Sequence, residues 1–454
     1  MKCITAFNIQ SKSSLLFTVA GPSSQEPSRK HRTGARIYAG HPTAGMTKTN
    51  PISMVEESEN EGPSALSSSI HESLAADEDD DEPSPLLLGP ALKIRSSPKC
   101  FTPSSGCIAT LVVVLLLVVF MGGANSRWSL DRNGSSKPSL QFSRASNETW
   151  KFKILQIADI HLGEAEDTDW GSEQDRKTWV VLNKLISQEA PDLIVLSGDQ
   201  VTANNCDGNA TEYYRLLGQF LSTYGIPWAT IFGNHDDMDF EIPGTNLTKP
   251  AKYSREDLLE VDQSFALSRT QEGPSNVFGT SNYVLDISMH DRPAARVYLL
   301  DSGGGALPKE IQQNQVEWLT KQFSFSPQLP AVAFQHIPSK DFFFDDTLCQ
   351  GLDGDGGFEP VDYDAGIART LSHSGHVHFL GVGHNHGNDY CCPYSDTKMH
   401  VCFGRHSGYG GYGSWERGGR VYELTIHEED QHALHWKSWV RLESGTIEDE
   451  ISYS

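Results

Sequence analysis

The sequence predicts an α/β domain of largely parallel, helix-covered strands, preceded by a disordered tail and one transmembrane helix. Three observations support this. Strand and helix patterns alternate from residue 152 onward, residues 1–106 are polar with few aromatics, and an uncharged apolar run separates the two regions. The predicted domains are a tail at 1–106, a signal-anchor helix at 107–124, a stalk at 125–150, a domain at 151–442 and a C-terminal tail at 443–454.

The N-terminal tail cannot bury enough apolar surface to offset the entropy of ordering it. Its first fifty residues are rich in Ser, Thr, Lys and Arg, with Glu26 as the only acid, and the acidic stretches EESENEG and ADEDDDEPS follow. A disordered tail is the favoured interpretation, and an organelle transit sequence is the alternative.

The apolar run CIATLVVVLLLVVFMGGA, residues 107–124, is near the lower length limit for a membrane-spanning helix. No charged residue lies between Lys99 and Arg127. A buried core helix or strand pair is the alternative, but the disorder-like sequence before the run disfavours it. Gly122 to Ala124 would also permit cleavage and release.

The side of the membrane on which the domain lies is indicated by glycosylation sequences, because the basic residues flanking the span are balanced. All four Asn-x-Ser/Thr triplets follow the span, at Asn133, Asn147, Asn209 and Asn246. We therefore expect a single-pass glycoprotein of the secretory pathway or cell surface, with a lumenal or extracellular domain. Disulfides are expected there, and the odd number of cysteines after the span leaves at least one without an intrachain partner.

The domain begins with a βαβαβ pattern: FKILQIA, DLIVLSG and IPWATIFG read as strands, separated by two helical stretches. Later segments predict further strands and one helix, KEIQQNQVEWLTKQF. The later strands are ARVYLLDS, AVAFQ, HFLGVG, MHVCFG and RVYELTIH. A long acidic, Gly-rich loop region lies between His336 and Phe379. The net charge of −23, from 36 basic and 59 acidic residues, argues against a nucleic-acid partner.

Polar side chains follow five of these strands, where open α/β sheets bind ligands. They are Asp159, His161, Asp199, Asn234, His235, Asp236, His336, His384 and His386. Residues i and i+2 of an extended chain point the same way, whereas neighbours point apart. Asn234 can therefore bind a metal while His235 remains free for proton transfer. Mixed nitrogen and oxygen ligands suit Zn, Mn or Fe, and a carboxylate such as Asp199 can bridge two ions.

The ordered motifs D-x-H, G-D, G-N-H-D, H and G-H-x-H resemble the calcineurin-like metallophosphoesterase superfamily. The segments PDLIVLSGDQV, FGNHDD, FQHIP and GVGHNHGNDYCC are similar to its purple-acid-phosphatase-related branch, over residues 151–442. The resemblance implies a four-layer αββα sandwich. It implies one metal on Asp159, His161, Asp199 and His386, and a second on the bridging Asp199, Asn234, His336 and His384.

By the same resemblance, a metal-bound hydroxide attacks phosphorus while His235, oriented by Asp236, protonates the leaving alkoxide. The chain departs from purple acid phosphatases at two positions. Thr202 stands where they have the tyrosine whose charge transfer to iron gives the colour, and His161 stands where they have glycine. We therefore expect a colourless enzyme with two divalent or trivalent ions (Fe, Zn or Mn), in which a histidine replaces the tyrosine ligand.

Three further features have other interpretations. His376 and His378 form a second G-H-x-H unit, but only the unit at His384 precedes NDYCC. Asp353 and Asp355 resemble part of a calcium loop without its closing glutamate, so a solvated loop is favoured. His406 follows a strand and either lines the cleft or belongs to a Gly-rich turn.

The expected function is a membrane-anchored phosphomonoesterase that acts on a phosphorylated small molecule or phosphoprotein. A phosphodiesterase on the same scaffold is the first alternative, because two metals do not determine the number of ester groups. A catalytically silent metal-binding module is the second. The natural substrate and the oligomeric state stay open.

Overall fold

The computed structural model describes residues 128–130 and 136–453, apart from residues 207, 243, 326, 327, 343, 345 and 396. The predicted tail and transmembrane segment lie outside this part of the chain. Within it, no helix is both long enough and apolar enough to cross a membrane.

The described chain forms twenty strands, five α-helices and one 3-10 turn (Asp346–Leu348). The strands are β1 Trp128–Leu130, β2 Ser136–Pro138, β3 Leu140–Gln141, β4 Ser143–Arg144, β5 Thr149–Ile157, β6 Leu193–Ser197, β7 Trp228–Ile231, β8 Phe240–Glu241, β9 Thr248–Lys249, β10 Tyr283–Met289, β11 Arg292–Leu299, β12 Glu310–Ile311, β13 Ala331–Phe334, β14 Tyr363–Asp364, β15 Val377–Val382, β16 Cys391–Pro393, β17 His400–Phe403, β18 Gly418–His427, β19 Asp430–Leu442 and β20 Ile447–Tyr453. The helices are α1 Asp169–Glu189, α2 Ala210–Ser222, α3 Arg255–Gln263, α4 Gln313–Phe325 and α5 Ile367–His373.

Two mixed, seven-stranded sheets form the centre of the domain. The first has the order β20-β19-β18-β5-β6-β7, with β4 also paired to β5. Its strands β5, β6 and β7 are parallel, whereas β18, β19 and β20 are antiparallel. The second has the order β16-β17-β15-β13-β11-β10-β3, and β11, β13, β15 and β17 are parallel. The expected parallel arrangement therefore holds for only part of each sheet, because β18, β19 and β20 of the first and β10 and β16 of the second pair antiparallel with their neighbours.

The two sheets share one apolar core. Ile154 and Val195 of the first sheet belong to the same buried cluster as Val297 and Phe334 of the second. Because side chains alternate along a strand, the neighbouring Leu155 faces the other way, into a separate cluster.

Helices cover the outer face of each sheet. Leu185 of α1 and Leu217 of α2 pack in the cluster that contains Leu155. Leu319 of α4 and Leu371 of α5 pack in a third cluster, against the outer face of the second sheet. The layers therefore run helix, sheet, sheet, helix.

The structure corrects the predicted domain limits. Residues 447–453, expected in a C-terminal tail, form edge strand β20 on β19. The expected stalk at 125–150 also contributes to the domain, because β3 pairs with β10 and β4 pairs with β5. Sequence analysis also missed β10 and the helices α3 and α5.

The carboxyl ends of the central parallel strands carry the predicted site residues. Strands β5, β6 and β7 of the first sheet and β13 and β15 of the second end just before them. The two packed sheets thus present their polar strand ends along one edge.

Candidate metal centre

The loops after β5 and β15 form a first group of ligand atoms. Asp159, His161 and His386 each offer one atom, and these atoms lie within 4.8 Å of one another. Nε2 of His161 is 3.1 Å from Nε2 of His386, and Nε2 of His386 is 3.7 Å from Oδ1 of Asp159. These separations are those of atoms able to share one ion.

A second group lies beside the first and contains Asp199, His336 and His384. Oδ2 of Asp199 is 3.1 Å from Nε2 of His336 and 3.7 Å from Nε2 of His161 in the first group. One carboxylate therefore contacts both groups, as a bridging ligand must.

Buried, unpartnered lone pairs show that these residues fit a metal. Oδ2 of Asp159 and Oδ1 of Asn234 are buried without a hydrogen-bond partner in the described chain. Leaving such atoms unpaired costs free energy, and metal coordination would remove that cost. Asn234 directly precedes His235, whose backbone N–H donates to Asp199. The structure thus brings all seven predicted ligands to one region.

Hydrogen bonds at Nδ1 direct Nε2 of three histidines toward the centre. Nδ1 of His336 donates to the carbonyl of Ser197 at 2.9 Å, and Nδ1 of His386 to that of Tyr412 at 3.0 Å. In His161, Nδ1 lies 3.0 Å from the Thr202 hydroxyl. The two carbonyl contacts select the tautomer whose Nε2 lone pair can bind a metal.

The ligands lie on strained backbone. Asp159, His161, Asp199 and His384 all have positive φ, at 56°, 51°, 54° and 71°. Left-handed conformations are rare for residues with a side chain and concentrate at functional sites. The strain is consistent with side chains held in a preset geometry.

Burial favours the neutral form of three histidine ligands. It lowers the pKa of His386 to about 4 and holds those of His161 and His384 well below the usual range. Neutral imidazoles are the form that binds metal. Burial also raises the pKa of Asp159 to about 7.

Asp199 and His336 form a buried ion pair. Burial alone would lower the pKa of His336, but the Asp199 carboxylate outweighs it and raises that pKa to about 9. For Asp199, burial opposes ionisation, yet the charge of His336 holds its pKa well below the usual range.

His235 lies half-buried beside the first group. Its ring centre is 5.0 Å from that of His161, and its backbone N–H donates to Oδ1 of Asp199 at 2.7 Å. Nδ1 of the ring donates to Oδ1 of Asn204 at 3.0 Å. The other ring nitrogen, Nε2, is thereby left for proton transfer.

The role expected of Asp236 is wrong, because its carboxylate does not orient His235. It accepts backbone N–H groups from the loop after β6 and from Gly233, at distances of 2.8 to 3.2 Å. Asp236 therefore ties two ligand-bearing loops together, and Asn204 orients the ring.

Two residues that support the centre, Asn204 and Arg255, were not predicted from the sequence. Arg255 is fully buried and binds the Asp301 carboxylate and the carbonyls of Gly233 and Gly304. It joins the loop after β7 to the loop after β11. No local motif marks these residues, because their partners are distant in sequence.

The other histidines and acidic residues singled out from the sequence lie outside the two ligand groups. His376 and His378 belong to neither ligand group; His378 lies within β15, and the His376 ring packs on Phe323. His406 is buried behind the centre, with its ring centre 3.9 Å from that of His386. Asp355 accepts hydrogen bonds from the backbone N–H of Gly387 and the hydroxyl of Tyr412. Its carboxylate therefore joins neighbouring loops.

Two disulfides hold the segments after the last ligands. They join Cys349 to Cys392 and Cys391 to Cys402, while Cys206 is buried and has no disulfide partner among the described residues. The first ties the acidic loop region to β16.

The calcineurin-like phosphoesterase family matches residues 152–387, more than half of the chain. An uncharacterised protein of Schizosaccharomyces pombe is 29% identical over 69% of this chain and 60% of its own length. Phosphatase DCR2 of Saccharomyces cerevisiae is 29% identical over 64% of this chain and 54% of its length. Probable inactive purple acid phosphatase 28 of Arabidopsis thaliana is 26% identical over 64% of this chain and 80% of its own length.

The family match spans the strand ends that carry every predicted ligand. Relatives of this chain that are named phosphatases support a hydrolase function, although some of them are named inactive. This chain belongs to the calcineurin-like phosphoesterase family.

Proposed function

We propose that the protein is a dinuclear-metal phosphomonoesterase in which His235 is the general acid. One observation carries the proposal: two ligand groups share the Asp199 carboxylate, and His235 is hydrogen-bonded to that same residue. A centre that only stored metal would not require a half-buried imidazole with a free Nε2 beside the bridging carboxylate.

Two bound ions would lower the pKa of a water molecule and neutralise phosphoryl oxygens. Asp159, His161 and His386 would hold one ion, and Asn234, His336 and His384 the other, with Asp199 between them. His235 donates its Nε2 proton to the leaving alkoxide. The donor is therefore the imidazolium, which keeps its Nδ1 proton on Asn204 Oδ1 while Nε2 gives up the other proton.

The ligand set of this chain supports an active enzyme, although some relatives are named inactive. Every predicted ligand position carries a metal-binding side chain, and the structure groups them around unpartnered lone pairs. Because the chain matches only 54–60% of the length of two yeast relatives, the substrate is proposed only as a phosphorylated small molecule or phosphoprotein.

We also propose a single-pass membrane glycoprotein whose domain lies in the secretory lumen or outside the cell. Asn147, Asn209 and Asn246 are exposed, as glycan acceptors must be. The two disulfides support an oxidising compartment. Glycosidase treatment of the protein from membranes should shift its electrophoretic mobility.

The test uses the full chain in detergent, loaded with Mn, Zn or Fe. Hydrolysis of p-nitrophenyl phosphate is compared with that of bis-p-nitrophenyl phosphate, and His235→Ala serves as the variant at each pH. We expect faster monoester cleavage, with kcat falling about 10²- to 10⁴-fold in the variant at unchanged metal content. Preference for the diester would make the protein a phosphodiesterase. Failure to cleave either ester with both metals bound would contradict an enzymatic function.

A further inference from the structure

Tyr412 joins the metal centre to the solvent. Its ring lies parallel to that of His386, with centres 4.1 Å apart and planes at 10°. Half of the residue (50%) is nevertheless exposed. An aromatic side chain that stacks on a metal-ligand residue and also faces water must border the mouth of the site.

The position of Tyr412 is set by several contacts. Its hydroxyl accepts the backbone N–H of His386 at 3.0 Å and donates to Asp355 at 2.9 Å. Its carbonyl accepts Nδ1–H of His386. Gly411, with φ of 73°, brings the chain so close that an added Cβ would lie 2.3 Å from Cε1 of His386. The exposed ring is therefore held in place before any ligand arrives, which limits the entropy cost of binding.

The charged groups bonded to Tyr412 and to the residue before it are carboxylates, and the Arg417 guanidinium is bonded to the carbonyl of the residue after it, Gly413. Asp355 binds the Tyr412 hydroxyl, and Glu164 accepts the N–H of the preceding residue, Gly411. On the other side of the centre, Lys309, whose charge acts on His384, is already paired with Glu359. The mouth thus offers a flat ring with carboxylates beside it, and its nearby lysine is neutralised.

We propose that Tyr412 contacts the organic part of the substrate and selects phosphomonoesters of aryl groups without further negative charge. A planar group linked to the bound phosphate would pack on the exposed half of the ring. Aromatic contacts of this kind strengthen binding by about 3- to 10-fold. The proposal rests on the phosphatase function proposed above, since the metal centre must hold the phosphate.

Phosphonates test this inference without requiring turnover. The affinities of phenylphosphonate and methylphosphonate are measured by calorimetry on the full chain loaded with zinc, and metal content is determined for every variant. We expect the wild type to favour phenylphosphonate about 3- to 10-fold. Tyr412→Phe should keep this preference and Tyr412→Leu should lose it. Tyr363→Leu is the matched control, because Tyr363 is equally exposed (52%) and lies on β14.

A second measurement avoids mutation altogether. In the zinc-loaded wild type, phenyl protons of bound phenylphosphonate should shift upfield and show a nuclear Overhauser effect to the Tyr412 ring. We also expect 4-carboxyphenylphosphonate to bind more weakly than phenylphosphonate, with a difference that shrinks at high salt.

Equal affinity of the wild type for the two simple phosphonates would overturn the inference. So would an aryl preference that survives in Tyr412→Leu, absence of the Overhauser effect, or equal binding of the carboxylated ligand. Failure of the phosphatase proposal would appear differently, as phosphonate binding without hydrolysis of p-nitrophenyl phosphate.

Discussion

The side-chain oxygen of Asn204 lies 3.0 Å from Nδ1 of His235, and the Asn204 amide nitrogen donates to Glu241 at 3.2 Å. The second contact determines which way the amide points, so Oδ1 must accept from the imidazole. A carboxamide held by a carboxylate therefore orients the proposed acid.

Replacing Asn204 should weaken catalysis while the metals remain bound. We expect Asn204→Ala to lower kcat about 10- to 100-fold with little change in KM. The loss is smaller than that of removing a general acid, because His235 remains but is less well oriented. Asn204→Asp should retain most activity, because a carboxylate also accepts from Nδ1–H. Steady-state kinetics on p-nitrophenyl phosphate, with metal analysis, would check this. Equal losses in both variants would contradict an orienting role.

Metal affinity should rise with pH from about 6 to above 9. A metal binds the deprotonated ligands. Without metal, Asp159 is protonated below its pKa of about 7 and His336 is protonated below its pKa of about 9. Each proton that the ion displaces weakens apparent affinity by up to about tenfold per pH unit below the corresponding pKa.

Zinc competition titrations with a chelator of known pH dependence would measure this slope. Asp159→Asn removes one of the two titrating groups and should flatten the curve below about pH 7. An affinity that is constant between about pH 6 and 9 would show that the ligands are already deprotonated without metal.

The glycine before the bridging aspartate should not tolerate a side chain. Gly198 has φ of 102°, and an added Cβ would lie 2.2 Å from Nδ1 of His336. Gly198→Ala combines backbone strain with displacement of a ligand, so we expect a loss of about 3 kcal/mol in unfolding free energy and a lower metal content. Thermal unfolding and metal analysis would measure both.

Gly225 supplies the matched control for that substitution. It also has positive φ (69°), but no atom lies within 4 Å of an added Cβ. Gly225→Ala should cost only about 1 kcal/mol and leave the metal content unchanged. Equal metal loss in both variants would assign the effect to backbone strain rather than to His336.

The iron-loaded protein should be colourless. Thr202, where purple acid phosphatases have the tyrosine that produces the colour, is hydrogen-bonded through its hydroxyl to His161 and offers no phenolate. The double variant His161→Gly, Thr202→Tyr restores both positions of that pattern and should gain a visible absorption band with ferric iron but not with zinc. A band in the iron-loaded wild type would point to another phenolate ligand.

Several features of the site could be predicted because they depend only on local order along the chain. Strands β5, β6, β7, β13 and β15 contain apolar runs, and each is followed shortly by Asp, Asn or His. Parallel strands bring their carboxyl ends to one edge, so the positions of Asp159, Asp199 and His384 in sequence already implied that they meet.

Other features depended on the paths of loops. Asp236 was expected to orient His235, but the turn after β7 directs its carboxylate toward the backbone of the neighbouring loop. Asn204 reaches the ring instead, from a loop 31 residues earlier. A motif reports which side chains are close in sequence, whereas hydrogen bonding depends on which ones the folded backbone points at each other.

The sequence by itself determined the α/β class, the nine candidate site residues and the departure at Thr202, because periodicity and strand-end chemistry are local. Only the tertiary structure decided which strands are antiparallel, the disulfide pairing, the orientation of His235 and the stacking of Tyr412 on His386. Those features arise where segments far apart in the chain meet. Their free energy comes from packing and hydrogen bonds between such segments, which local sequence does not specify.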